Sequence, residues 1–190
     1  MFKHLISVVV LGICFVASAE WRLDSTLSHL NFISIKAGSL AETHRFTDFS
    51  GSISDNGTVI ILIELASVET LIPIRDERMR SLLFEVDKFP KAIIRSRIDT
   101  LPVQLLDQGS TTNVTAQAIL ELHGTQLTVL LDLLVAKLSP SKVLIASAKP
   151  VIIDARNVGL DDGIELLSNI AGLPSISRAV PVDFNLLFTR

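Results

Sequence analysis

His29, His44 and His123 are the side chains best suited to general-base work or metal ligation in this chain. They stand apart from one another: no His-x-x-His or HExxH spacing joins them, and neither a Gly-rich phosphate loop nor a GxSxG elbow occurs. Each falls near a strand end or a turn of the pattern described below, where a solvated or capping histidine is the expectation. Cys14, the single cysteine, lies in the N-terminal apolar run, so the chain beyond that run has no thiol for a disulfide, a metal site or a nucleophile. Barrel enzymes can still assemble a site from scattered residues, and an interior histidine hydrogen-bonded to a carboxylate would mark one.

The densest charge is Arg75-Asp76-Glu77-Arg78, with Arg80 following. At helical spacing these residues form a wet face paired internally at i to i+3. The alternative is a lid whose arginines meet a polar or phosphate headgroup. The stretch from Asp154 to Glu165 collects Asn157, Asp161 and Asp162, but not at the spacing of a 12-residue calcium loop, and reads as a solvated loop. The formal charge of −3, without a basic patch, excludes nucleic acid as a partner.

Lys3, the apolar run from Leu5 to Val16 and the small residues Ala17-Ser18-Ala19 have the order of a secretory signal, with cleavage before Glu20. The run is shorter than the roughly 20 residues that span a bilayer, so no transmembrane segment is expected in the mature chain. A lipoprotein signal is disfavoured because Ile13 precedes Cys14 where a small residue is needed. The expectation is a periplasmic protein with one domain over residues 20–190.

The elements that must position any site are mostly strands. Eight are predicted: Trp21 to Lys36, Arg45 to Ser54, Thr58 to Ser67, Lys91 to Thr100, Asn113 to Leu122, Leu127 to Ala136, Lys142 to Asp154, and Ala179 to Thr189. Ala92, Ile94, Ser96 and Ile98 alternate with Arg95, Arg97 and Asp99, and Val182, Phe184, Leu186 and Phe188 alternate with Asp183 and Asn185. Asp55-Asn56-Gly57 and His123-Gly124 supply hairpin turns. Helical spacing appears only over Arg75 to Glu85 and Asp162 to Ala171. So many strands with so few helices to cover them predict an all-β fold that closes into an up-and-down barrel.

Two strands are apolar on both faces. Ile60, Leu62, Leu130 and Leu134 then point outward as a contiguous patch, covered either by a second copy in a homodimer or by the Arg75 to Glu85 helix.

Several segments resemble the YceI-like family of secreted polyisoprenoid-binding proteins. They are Leu23-Asp24 with Ser28-His29-Leu30-Asn31-Phe32, then Phe46-Thr47-Asp48-Phe49-Ser50-Gly51, and Ser67-Val68-Glu69-Thr70 leading into Arg75-Asp76 and on to Phe84 and Phe89-Pro90. Leu120-Glu121-Leu122-His123-Gly124 is similar to that family's penultimate hairpin, and Asp154 to Leu160 resembles its Arg-x-x-x-Gly region. Arg78 stands where a histidine is commonest, and Ser81 to Val86 is one residue short of the usual form.

The resemblance implies a lipocalin-like eight-stranded barrel with an elongated apolar cavity that takes an isoprenoid quinone or similar amphiphile and needs no cofactor or metal. Small inward residues, Ser34, Ala116 and Ala118, leave room among larger ones. The candidate ligand-binding set is Phe32, Phe49, Ile61, Ile63, Arg75, Asp76, Phe84, Ile94, Ala118, Leu120, Leu122, Leu131 and Phe184, with Arg75 and Asp76 either touching ligand or pinning the helix. A barrel enzyme on a lipid-like substrate and a filled interaction barrel are the two rival readings.

Overall fold

The structure, a computed structural model, describes residues 20–98 and 104–190. The expected signal at residues 1–19, and Asp99 and Thr100 at the end of the fourth predicted strand, lie outside the described residues.

Strands with one apolar face must hide that face, and here the sheet does so by closing on itself. The first strand is bent into β1 (Trp21–Leu23) and β2 (His29–Lys36) by a turn of 3-10 helix, where Asp24 accepts the Thr26 N–H at 3.0 Å. The second is likewise β3 (Leu40–Phe46) plus β4 (Phe49–Ile53), and the third is β5 (Thr58–Glu64) with β6 (Val68–Glu69). Then come β7 (Lys91–Arg97), β8 (Thr111–Leu122), β9 (Thr125–Ser139), β10 (Lys142–Ser147) with β11 (Val151–Asp154), and β12 (Ala179–Thr189). Each pairs antiparallel with the next, and β12 returns to both halves of the first, Val182 opposite Phe32 and Phe188 opposite Leu23. The result is a closed eight-stranded antiparallel barrel, in which the short β6 and β11 segments each pair on one side only and the longer strands close on one another.

Differences from the predicted strands have local causes. The second strand begins at Leu40, not Arg45, because β2 extends it by pairing Lys36 with Leu40. The seventh breaks between β10 and β11 around Pro150, which has no N–H for the ladder. The turn between β8 and β9 is His123-Gly124, with φ of +50 and +75; two left-handed residues match the right-handed twist of the flanking strands.

The helix expected over Arg75 to Glu85 divides into α1 (Pro73–Arg78) and a wider π turn, Met79–Leu83, closed by the Phe84 N–H on the Met79 carbonyl at 2.9 Å. It does not cover the outer barrel face: Leu130 stays 67% exposed, while Met79, Leu83 and Phe84 turn inward over the barrel end. On the outer face Arg95 and Gln117 interrupt the rows of Ile60 and Leu130, while Leu62 lies opposite Ile93 and the exposed Ile119 stands beside Arg95.

Asp154 to Glu165 is not a solvated loop. Asp154 caps a 3-10 turn over Ala155–Val158, and α2 (Asp161–Ile170) follows. Val158, Leu160 and Ile164 are buried against the interior. α2 packs on the π turn through Gly163, where a Cβ would stand 2.8 Å from the Leu82 carbonyl oxygen; only glycine permits that approach. Among the described residues no helix is long and apolar enough to cross a membrane.

Candidate functional site

The inward faces of the strands surround a cavity of about 450 Å³, within the range that small-molecule sites occupy. Its walls are mainly apolar because one residue in two on each strand points in, and most of those residues are Leu, Ile, Val, Phe and Ala, with Ser34, His44 and Ser96 among them. Phe32, Phe46 and Phe84 form an aromatic run from wall to lid, with ring centroids 5.4 and 5.8 Å apart. Ile72 and Ile74 line the cavity and are also exposed, so it opens beside α1.

Of the candidate ligand-binding set, Phe32, Phe49, Ile61, Ile63, Arg75, Phe84, Ile94, Leu120, Leu122, Leu131 and Phe184 border this cavity. Ala118 is buried in the wall but does not border it. Asp76 does not border it either: its carboxylate accepts the Thr70 N–H at 2.8 Å and the Thr70 hydroxyl, tying α1 to the end of β6.

The charged side chains that line the cavity are Lys36, Arg75 and Arg78; no carboxylate lines it among the described residues. The i to i+3 pairing expected for the charge run is not what holds them. Arg75 reaches instead to Glu42 on β3, and donates to the Thr70 hydroxyl at 2.8 Å and the Thr70 carbonyl at 2.7 Å. Lys36 also binds Glu42. Lys36 and then Arg75 hold the Glu42 carboxyl below the usual carboxylate range. Arg78 has no acidic partner among the described residues.

His44 overturns the expectation that the histidines are solvated or capping. It is 4% exposed, borders the cavity, and places Nε2 2.8 Å from the Ser34 hydroxyl. Burial first, then the charge of Arg75, pushes its pKa down to about 4, so the ring is neutral at neutral pH. The Glu42 carboxylate lies 4.0 Å from the same Nε2, while Nδ1 is buried without a hydrogen-bond partner. A Ser-His-acid relay needs the carboxylate on the nitrogen opposite the serine, and this arrangement lacks it. His29 is exposed. His123 bonds Glu85 at 3.1 Å and packs on Phe89 outside the cavity.

Sequence reasoning named His44 but read it as a solvated or capping residue because the strand was started at Arg45. Stepping back by two from Phe46, which faces inward, would have placed it inside. Val158, Leu160 and Ile164 were missed because their polar neighbours masked a short helical stripe.

A closed eight-stranded barrel around an apolar interior, lidded by short helices, is a lipocalin-type fold. The model of the YceI-like domain matches residues 21–188, and the chain belongs to that family. The chain is similar to the solved structure of a polyisoprenoid binding domain from Saccharophagus degradans implicated in plant cell wall breakdown: 39% identity, TM-score 0.87, covering 90% of this chain and 98% of that one. It shares the fold of Burkholderia cenocepacia BcnA, at 18% identity and TM-score 0.66, covering 87% of this chain and 98% of that one. A comparison with curated proteins finds no match.

Proposed function

We propose that this protein is an exported, periplasmic binding protein that encloses an isoprenoid lipid of quinone or polyprenyl type, or a similar amphiphile, without transforming it. The observation that carries this reading is the lining of the cavity, overwhelmingly apolar apart from a few neutral polar groups such as Ser34, His44 and Ser96, with charge only as the cations Lys36, Arg75 and Arg78. Burying an isoprenoid tail there gains about 0.8 kcal/mol for each methylene-sized unit removed from water. Arg78, without an acidic partner among the described residues, can meet an anionic or carbonyl-bearing headgroup, whereas Arg75 is already engaged by Glu42 and Thr70. Membership in the YceI-like family and likeness to a polyisoprenoid binding domain support the same class of ligand. The N-terminal signal pattern supports export. The proposal extends to a homodimer through the outward Leu130 and Leu134 of β9, 67% and 39% exposed.

Native mass spectrometry of protein taken from a bacterial periplasm, followed by solvent extraction, tests the reading. A stoichiometric isoprenoid or quinone is expected. Protein that carries no lipid and refuses added prenol or quinone would overturn it, and a single monomer mass at micromolar concentration would remove the dimer.

A further inference from the structure

The rim of the cavity carries apolar side chains that neither the core nor the cavity uses. Leu71 is 83% exposed and Leu40 59%, and neither borders the cavity. Beside Leu71, Ile72 and Ile74 are 44% and 53% exposed and do border it, so apolar side chains lead from the interior to the rim next to Leu71. Leu40 opens β3 opposite Lys36, two residues before the Glu42 that holds Arg75, which places it on the same rim.

Leu71 is also strained. Its φ is +62, a left-handed conformation that residues with a Cβ adopt only at an energetic cost. The strain is enforced from both sides. Thr70 is buried and bound through its N–H, hydroxyl and carbonyl to Asp76 and Arg75. The Ile72 carbonyl accepts the N–H of Arg75 at 2.9 Å and of Asp76 at 3.0 Å. The Arg75-Asp76 pair is thus a pedestal that fixes a leucine outward in water, where glycine or asparagine would suit the backbone better. Lys36, Arg75 and Arg78 surround the same opening.

We propose that this rim docks on a lipid bilayer, with Leu71 and Leu40 inserted at headgroup level and Arg78 toward anionic headgroups, so that ligand moves between membrane and cavity without crossing water. The proposal rests on the lipid-binding reading above. A tail whose burial drives binding would expose the same apolar area on leaving through water, and a rim continuous with the cavity removes that barrier.

The test uses dansyl-labelled farnesol as probe, and vesicles of phosphatidylethanolamine and phosphatidylglycerol. Wild-type protein loaded from detergent should hand the probe to vesicles at a rate that rises in proportion to vesicle concentration, and should float with them. The double variant Leu40→Asp, Leu71→Asp should take the probe from detergent as the wild type does, yet transfer it at least about tenfold more slowly, the loss of one to two buried leucines. Leu71→Gly guards against misfolding, because glycine holds φ +62 without strain; it should stay folded and also transfer slowly. Transfer independent of vesicle concentration, and equal in all three proteins, would overturn the docking while leaving lipid binding intact. Failure of every protein to take up the probe from detergent would overturn both.

Discussion

The imidazole Nε2 of His44 lies 2.8 Å from the hydroxyl of Ser34, across two neighbouring strands and inside the barrel. The pair sits below the ring of Lys36, Glu42 and Arg75, so protonating His44 adds a buried charge beside two cations. The folded-state pKa of about 4 is below the ordinary histidine value of 6.5, so the unfolded chain binds the proton first. Stability is therefore full above about pH 6.5 and falls as pH drops toward 4, by up to about 3 kcal/mol. Urea unfolding at pH 7 and pH 5 should show this slope, and His44→Phe should flatten it. An equal slope in the variant would refute the assignment.

Arg75 and Arg78 should separate stability from binding. Arg75→Ala strips partners from Glu42 and from the buried Thr70, and should cost about 1–3 kcal/mol of unfolding free energy. Asp76→Ala, which orphans the Thr70 N–H and hydroxyl, should do the same. Arg78→Gln should change stability by less than about 0.5 kcal/mol and weaken a phosphate- or carboxylate-headed isoprenoid about fivefold or more, measured by fluorescence titration.

Two neighbouring alanines on β8 test the cavity itself. Ala116 borders it and Ala118 does not. Ala116→Trp should fill the space with little loss of thermal stability and abolish prenol uptake. Ala118→Phe, forced into a closed wall, should lower stability by about 1–3 kcal/mol. If both merely destabilise, the cavity is not a binding space.

Gly163→Val should detach α2 from the π turn, since even a Cβ meets Leu82 and Leu83 below 3.0 Å. Hydrogen exchange should then quicken in both helices and leave the strands unchanged, and limited proteolysis should cut within residues 160–175.

Much of this barrel was legible in the chain because strand alternation is a local signal. The inward set of β12, Val182 to Phe188, could be read from the order of residues alone, and so could the His123-Gly124 turn, whose two left-handed residues need no distant contact. The α1 region was legible as a charged helix but not as a pedestal, because the partner of Arg75 is Glu42, 33 residues away. The make-up of the outward patch was legible only in part, for a related reason. Ile60 and Leu130 were each correctly placed on an outer face, but only strand order shows that Arg95 and Gln117 lie between them.

By itself, then, the sequence determined the number of strands and their faces, which depend on residues within a few positions of one another, and the family, which rests on the order of short motifs along the chain. The tertiary structure alone decided that His44 points inward beside Ser34, that Arg75 is occupied while Arg78 is open, and that the interior keeps a cavity of about 450 Å³. Those properties depend on how the closed sheet sets distant strands against each other, and closure is a relation between the two ends of the chain, Trp21–Leu23 and Ala179–Thr189, that no local pattern encodes.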